Sequence, residues 1–143
     1  MSTITISRSA RLQPYLFFNG RCEEAIEFYR RTVGAELVML ARYKDSPDTG
    51  MCPPGSGDKV MHATLTIGGG TMLLSDGYCS GQLNFQGFSL ALAVPTDAEA
   101  EAAFAALAEG GQVRMPIAKT FFASRFGILT DRFGVTWKVL AAP

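Results

Sequence analysis

An internal duplication constrains this chain more than any other feature of its sequence. Phe28 matches Phe104, Gly34 matches Gly110 and Met39 matches Met115, each pair 76 positions apart. At that offset LFFNGRCEEAIEFYRRTVGAELVM (16–39) lies beside the span from Leu92 to Met115. In both copies an apolar run leads into an amphipathic helix, then a glycine, then a second apolar run. The later parts repeat at a shorter offset: Leu65-Thr66 matches Leu129-Thr130 and Gly70 matches Gly134, 64 apart. The difference of 12 residues (76 − 64) falls in YKDSPDTGMCPPGSGD (43–58), whose Gly, Pro, Ser and Asp mark it as loop.

The predicted order is therefore strand–helix–strand–strand–strand, twice. In the first copy it gives a strand at about 14–18, a helix at about 22–33 and strands near 35–43, 60–67 and 70–75. In the second it gives a strand at about 88–94, a helix at about 97–108 and strands near 111–117, 124–130 and 134–140. Thr96-Asp97-Ala98-Glu99 fits a capping box, and Gly110-Gly111 a helix stop. On the first helix Ala25, Ile26, Tyr29 and Val33 form one apolar stripe, leaving Glu23, Glu24, Glu27, Arg30 and Arg31 to face water. Gly68-Gly69-Gly70 joins two strands and opens no helix, so it reads as a hairpin turn and not a phosphate loop.

Composition narrows the class of partner. Lys plus Arg and Asp plus Glu both total 13, so a net charge of zero gives no reason to expect nucleic acid or an anionic membrane. Cys22, Cys52 and Cys79 are odd in number and lack close CxxC spacing, which suits a reduced, cytoplasmic protein. The first residues carry no long apolar run, so neither a signal peptide nor a membrane span is expected.

A duplicated βαβββ unit, with LFFNG…EEAIEFYRRTVGAE opening one half and RFGILTDRFGVTWKV closing the other, resembles the vicinal oxygen chelate superfamily of glyoxalase I, extradiol dioxygenases and bleomycin-resistance proteins. Within it the chain looks most like the PhnB-like branch, labelled as a 3-demethylubiquinone methyltransferase domain. The resemblance covers about 12–141. It implies a single α+β domain (1–143) of two tandem units, about 12–78 and 86–141, whose sheets curl into a cupped, partly open barrel. It also implies a homodimer. Metal-dependent members hold their ion near the start of the first strand and on the last strand of each unit. Here those positions fall on Pro14 (or Gln13 in a register slipped by one), Phe88, Leu74 and Lys138. Pro, Phe and Leu have no donor and a protonated Lys repels a cation, so no metal is expected.

Period two places Leu16, Phe18, Met72, Leu90, Leu92 and Thr136 with those four positions on the inner face of the cup, and Tyr15, Phe17, Leu73, Trp137 and Val139 beneath the helices. The expected ligand-binding set is Phe18, Met72, Leu74, Phe88, Leu90 and Lys138, with Arg125. The ligand is a small apolar or aromatic molecule, with Lys138 or Arg125 available to an anionic group. An ion pair at a strand end is the other reading of Arg125, and a closed core or dimer contact is the other reading of the cup. His62, on the polar face of VMHATLTIG, is the candidate general acid–base, or else a hydrogen-bonded structural histidine. No Gly-rich turn opens a helix, so no cofactor is expected, and methyl transfer has no visible site. Three functions stay open: a metal-independent ligand-binding protein, an isomerase-, lyase- or glyoxalase-like enzyme using His62, and a dimeric scaffold with a filled cup. The loop at 44–58 reads as a lid or as an arm to a second subunit.

Overall fold

In the computed structural model, which describes residues 2–47 and 53–143, helix α1 spans Cys22–Val33 and α2 spans Asp97–Ala108, the bounds expected from the sequence. Glu23 and Glu24 in the first turn of α1, with Arg30 and Arg31 in its last, complement the helix dipole. Gly34 ends it at φ 67°, its N–H bonded to the carbonyl of Tyr29. At α2 the Thr96 hydroxyl accepts from the Glu99 N–H at 3.1 Å. No described helix is long and apolar enough to cross a membrane.

The strands are β1 (Tyr15–Phe17), β2 (Glu36–Arg42), β3 (Val60–Ile67), β4 (Gly70–Ser75), β5 (Leu90–Val94), β6 (Gln112–Ala118), β7 (Arg125–Thr130) and β8 (Thr136–Ala141). They make two mixed sheets, β1-β4-β3-β2 and β5-β8-β7-β6, each with one parallel pair beside antiparallel ones. The duplication is thus visible in strand order as well as in sequence. Gly68-Gly69 forms the tight hairpin between β3 and β4, with Ile67 paired to Gly70. Phe88, expected in a strand, precedes β5.

Both helices lie on one side of their sheets and touch each other. One buried hydrophobic cluster runs through both units, including Phe18, Tyr29, Leu65, Leu74, Phe104, Leu129 and Trp137. A polar joint ties the halves inside it. The buried Asp131 carboxylate accepts from the N–H groups of Phe133 (2.9 Å) and Val135 (3.1 Å), the indole N–H of Trp137 (2.9 Å) and the hydroxyl of Tyr29 (2.6 Å). Asp76 plays the corresponding part in the first unit, accepting from the N–H groups of Gly20, Cys22 and Val60, each at 2.8 Å. Among the described residues every buried carboxylate oxygen is satisfied, as the desolvation penalty of an orphaned one requires.

The facing of three strands corrects the sequence reading. Leu16, Phe18, Met72 and Leu74 are buried under the helices, and Leu90 and Leu92 pack against the same core. Tyr15, Phe17 and Leu73 stand on the opposite face. Trp137 and Val139 lie beneath the helices and Thr136 and Lys138 opposite, as expected. For β4 the cause is one residue of turn. Thr66 pairs with Thr71 across four residues, whereas Thr130 pairs with Thr136 across five, Asp131–Val135. Strand β8 therefore corresponds to β4 at an offset of 65, not 64, so the true counterpart of Lys138 is Leu73. A slip of one residue exchanges the two faces of a strand.

Cys79 is disulfide-bonded, which corrects the expectation of a fully reduced set; chain spacing carries no information on spatial approach. Cys22 is free and buried. Cys52 and part of the 44–58 loop lie outside the described residues.

Candidate functional site

The helix-free face of the first sheet carries the most chemistry. Tyr15 and Phe17, two apart on β1, project together from this face and remain 42% and 51% exposed. Their rings stack at 5.2 Å with 18° between planes. The alternation of His62, Thr64 and Thr66 on β3 puts these polar groups on the same face, next to Leu73 in the register. The Tyr15 hydroxyl lies 2.7 Å from His62 Nδ1, and His62 Nε2 lies 3.3 Å from the Thr64 hydroxyl. Partial burial, then the proximity of Tyr43 and Cys22, raises the pKa of the Tyr15 phenol, so it keeps its proton. In the tautomer in which Tyr15 donates to Nδ1, the ring proton sits on Nε2 and points at Thr64. The result is a short hydrogen-bonded relay opening onto an aromatic wall.

Beside that wall lies a pocket of about 250 Å³, formed by β1 and the segment that leads into β5. Phe85 and Phe88 close its far side, their rings edge-on at 6.5 Å, and Phe85 is anchored in turn against the core ring of Phe18 at 5.3 Å. Asn19, Gln82 and Asn84 bring amide groups to it. Asn19 holds a left-handed backbone (φ 51°) and donates to the Gln82 carbonyl at 3.2 Å, which fastens the segment to the end of β1. Among the described residues, none that lines this pocket is charged.

The corresponding face of the second sheet sets cations among apolar side chains. Lys138 is exposed there, in register with Ala91 and Ile128. Met115 and Phe122 are also exposed; Phe122 packs edge-on against Phe126 at 5.0 Å, and the Arg114 guanidinium donates to the Thr130 hydroxyl at 3.0 Å. A separate open cleft of about 720 Å³ lies between the units, bounded by the end of α1, the Gly68–Gly70 hairpin, β5 and α2.

The sequence-derived residues scatter over these regions. Phe18 and Leu74 are fully buried in the core, so neither reaches an open surface of this chain. Met72 and Leu90 border a small recess of about 110 Å³ between β4 and β5. Phe88 lines the aromatic pocket. Arg125 turns to α2, bonded to Glu101 at 2.8 Å and near Asp97 at 3.5 Å, the strand-end ion pair. His62 faces the open side, and so does its nearest polar partner, Tyr15, which strand alternation alone places under the helix. Tyr15, Phe17, Asn19, Gln82, Asn84 and Phe85 are the residues that sequence reasoning did not select. In YLFF all four residues are apolar or aromatic, so polarity gave no sign of which pair faces out.

The chelating positions of the fold can be tested with the corrected register. The open-face positions nearest to those the resemblance implies are Tyr15, Leu73, Ala91 and Lys138, a set with one phenol, one cation and two side chains lacking donors. These residues do not fit a metal ion. Among the described residues no cluster of three or more His, Cys, Asp or Glu stands close enough to hold one.

Comparison with known proteins agrees with this architecture. Residues 10–140 match the family model described as 3-demethylubiquinone-9 3-methyltransferase. Protein PA1353 from Pseudomonas aeruginosa is similar at 42% identity and TM-score 0.82, over 94% of this chain and 98% of that one. Protein YjdN of Escherichia coli (strain K12) is 36% identical over 90% of this chain and 92% of its own. A Bacillus cereus structure described as a putative 3-demethylubiquinone-9 3-methyltransferase, PhnB protein, is 30% identical with TM-score 0.76, covering 93% and 100%. A glyoxylase/bleomycin resistance protein/dioxygenase domain from Frankia shares the fold at TM-score 0.68 and 14% identity, over 97% of this chain and 100% of that domain.

Proposed function

This chain belongs to the PhnB-like 3-demethylubiquinone-9 3-methyltransferase-like family within the glyoxalase/bleomycin resistance/dioxygenase fold, and on that premise we propose that it binds a small apolar or aromatic molecule without a metal, on the helix-free face of its first sheet. The observation that carries the reading is the stacked Tyr15–Phe17 wall, half-exposed beside a pocket closed by Phe85 and Phe88. Aromatic rings left open to water at a concave site are what an aromatic ligand would cover. A second copy of the chain is the partner proposed for the remaining open apolar surface, including Met39 and Met115. Light scattering at several concentrations tests that part.

The test of binding is a thermal-shift screen of small aromatic compounds on the wild-type chain, Tyr15→Ala and Phe17→Ala. Both positions are partly exposed, so the variants should fold. Stabilisation that disappears in both variants supports the reading. A screen without any stabilising compound, or stabilisation unchanged in the variants, rules it out.

The Tyr15–His62–Thr64 relay favours a second reading, proton transfer on the bound molecule. His62 would exchange a proton with the ligand while Tyr15 sets its tautomer and position. Turnover of a bound compound that collapses in His62→Ala but survives in Thr64→Val would support it. Equal turnover in His62→Ala would remove it.

A further inference from the structure

We infer that the 250 Å³ pocket beside β1 selects an uncharged, planar, single-ring molecule carrying a carboxamide-like edge, and discriminates against charged aromatics of the same size; this rests on the ligand-binding reading above. The selectivity follows from what lines the pocket. It is lined by Tyr15, Leu16, Phe17, Phe85 and Phe88 together with the amide residues Asn19, Gln82 and Asn84, and among the described residues no Asp, Glu, Lys or Arg lines it. An anion or cation entering it would give up hydration and meet no countercharge. A neutral amide gives up less, and finds partners. Gln82 and Asn84 are exposed, and their side chains make no hydrogen bond to the protein among the described residues. Each offers an N–H₂ and a carbonyl, the complement of a primary amide.

Shape points the same way. In the Tyr15–Phe17 stack each ring covers one face of the other and leaves its outer face, and Phe85 and Phe88 meet at 80°, so a flat ring can stack on an outer face and meet an edge opposite. A volume of about 250 Å³ is below the usual range for drug-sized ligands, roughly 300–1,000 Å³, and suits one ring. The site therefore differs from the neighbouring sheet face, where Lys138 would favour an anion.

The experiment is a titration, followed by ligand-observed NMR and calorimetry, with benzamide, benzoate, benzylammonium and cyclohexanecarboxamide. Benzamide is expected to bind about tenfold or more tightly than either charged ring, and more tightly than the non-planar amide. Phe88→Ala should weaken benzamide about two- to tenfold, and Asn84→Lys, at an exposed position, should shift preference toward benzoate. Benzoate or benzylammonium binding as tightly as benzamide overturns the inference, as does benzamide affinity unchanged in Phe88→Ala and Asn84→Lys. If none of the four binds while larger aromatics still stabilise through Tyr15 and Phe17, the inference fails and the ligand-binding reading stands. If nothing aromatic binds at all, both fall.

Discussion

Replacing Tyr29 by Phe isolates the joint between the two units. The change removes one oxygen and leaves the fully buried ring, packed on Phe18, Phe28, Phe133 and Trp137, in place. What is lost is the 2.6 Å bond from α1 to the Asp131 carboxylate, 102 residues away in sequence. A buried hydrogen bond to a carboxylate contributes about 1.5–3 kcal/mol. At about 2.1 cal/mol/K of unfolding entropy per residue, a chain of 143 residues shifts by about 3 °C per kcal/mol. Tyr29→Phe should therefore melt about 5–10 °C lower at neutral pH, as followed by calorimetry. Burial, reinforced by Asp131, raises the pKa of the Tyr29 phenol well above its ordinary value. The folded phenol thus stays protonated where the unfolded one, at about pH 10, begins to ionise. Its stabilising contribution is complete below that pH and declines above it, so the gap between wild type and variant should narrow as pH rises beyond about 10. A gap under about 2 °C at neutral pH, or one that widens in alkali, would refute the role assigned to this bond.

Three further outcomes follow from the packing. A Cβ at Gly127 would stand 2.7 Å from Phe104 Cε2 and 2.9 Å from the Ile117 Cα, so Gly127→Ala should lose about 1–3 kcal/mol in urea unfolding; an unchanged midpoint would mean that α2 can retreat from the sheet freely. Asp76→Ala strands three backbone N–H groups and should lose about 3 kcal/mol or more, with a melting fall under about 3 °C counting against that. Cys22 is fully buried, and burial beside Asp76 holds its thiol well above the usual range. Mass spectrometry after iodoacetamide should find it unmodified in the native chain and alkylated in denaturant; native labelling at neutral pH would show that this part of the core opens.

Much of the fold is legible along the chain because its signals are local. Helix boundaries matched residue for residue, since a stripe at period 3.6 and a terminal glycine report on neighbouring residues alone. Strand facing was not legible on β1, β4 and β5, where both faces carry apolar residues: one set enters the core, and on β1 the other forms the aromatic wall. For such strands the face is set by register, and register here turns on whether a hairpin encloses four residues or five. β8 was read correctly because Lys138 alternates with Trp137 and Val139, a contrast that burial cannot invert. His62 was visible for the same reason, lying between alanine and methionine in an alternating strand. Its partner Tyr15 was not, because their pairing spans 47 residues and depends on β1 lying beside β4.

The residues that make the family recognisable are a different set from those that face a ligand. Tyr29 comes from the AIEFY segment; Asp131, Phe133, Gly134 and Trp137 are the D-x-F-G-x-x-W. All but Gly134 meet in one buried cluster around the Asp131 carboxylate, where they fasten α1 to the second sheet. Such a match transmits the fold, because the joint cannot be built from other residues without orphaning a buried carboxylate. It transmits nothing about Tyr15, His62, Asn84 or Phe88, which lie outside the matched segments and carry no comparable penalty for exchange; Phe17, within LFFNG, is the exception. Two chains can therefore share the joint and bind unrelated molecules. For this chain the open face is aromatic in one unit, and in the other it carries Lys138 and Arg114 among apolar side chains; that composition is the guide to its ligand.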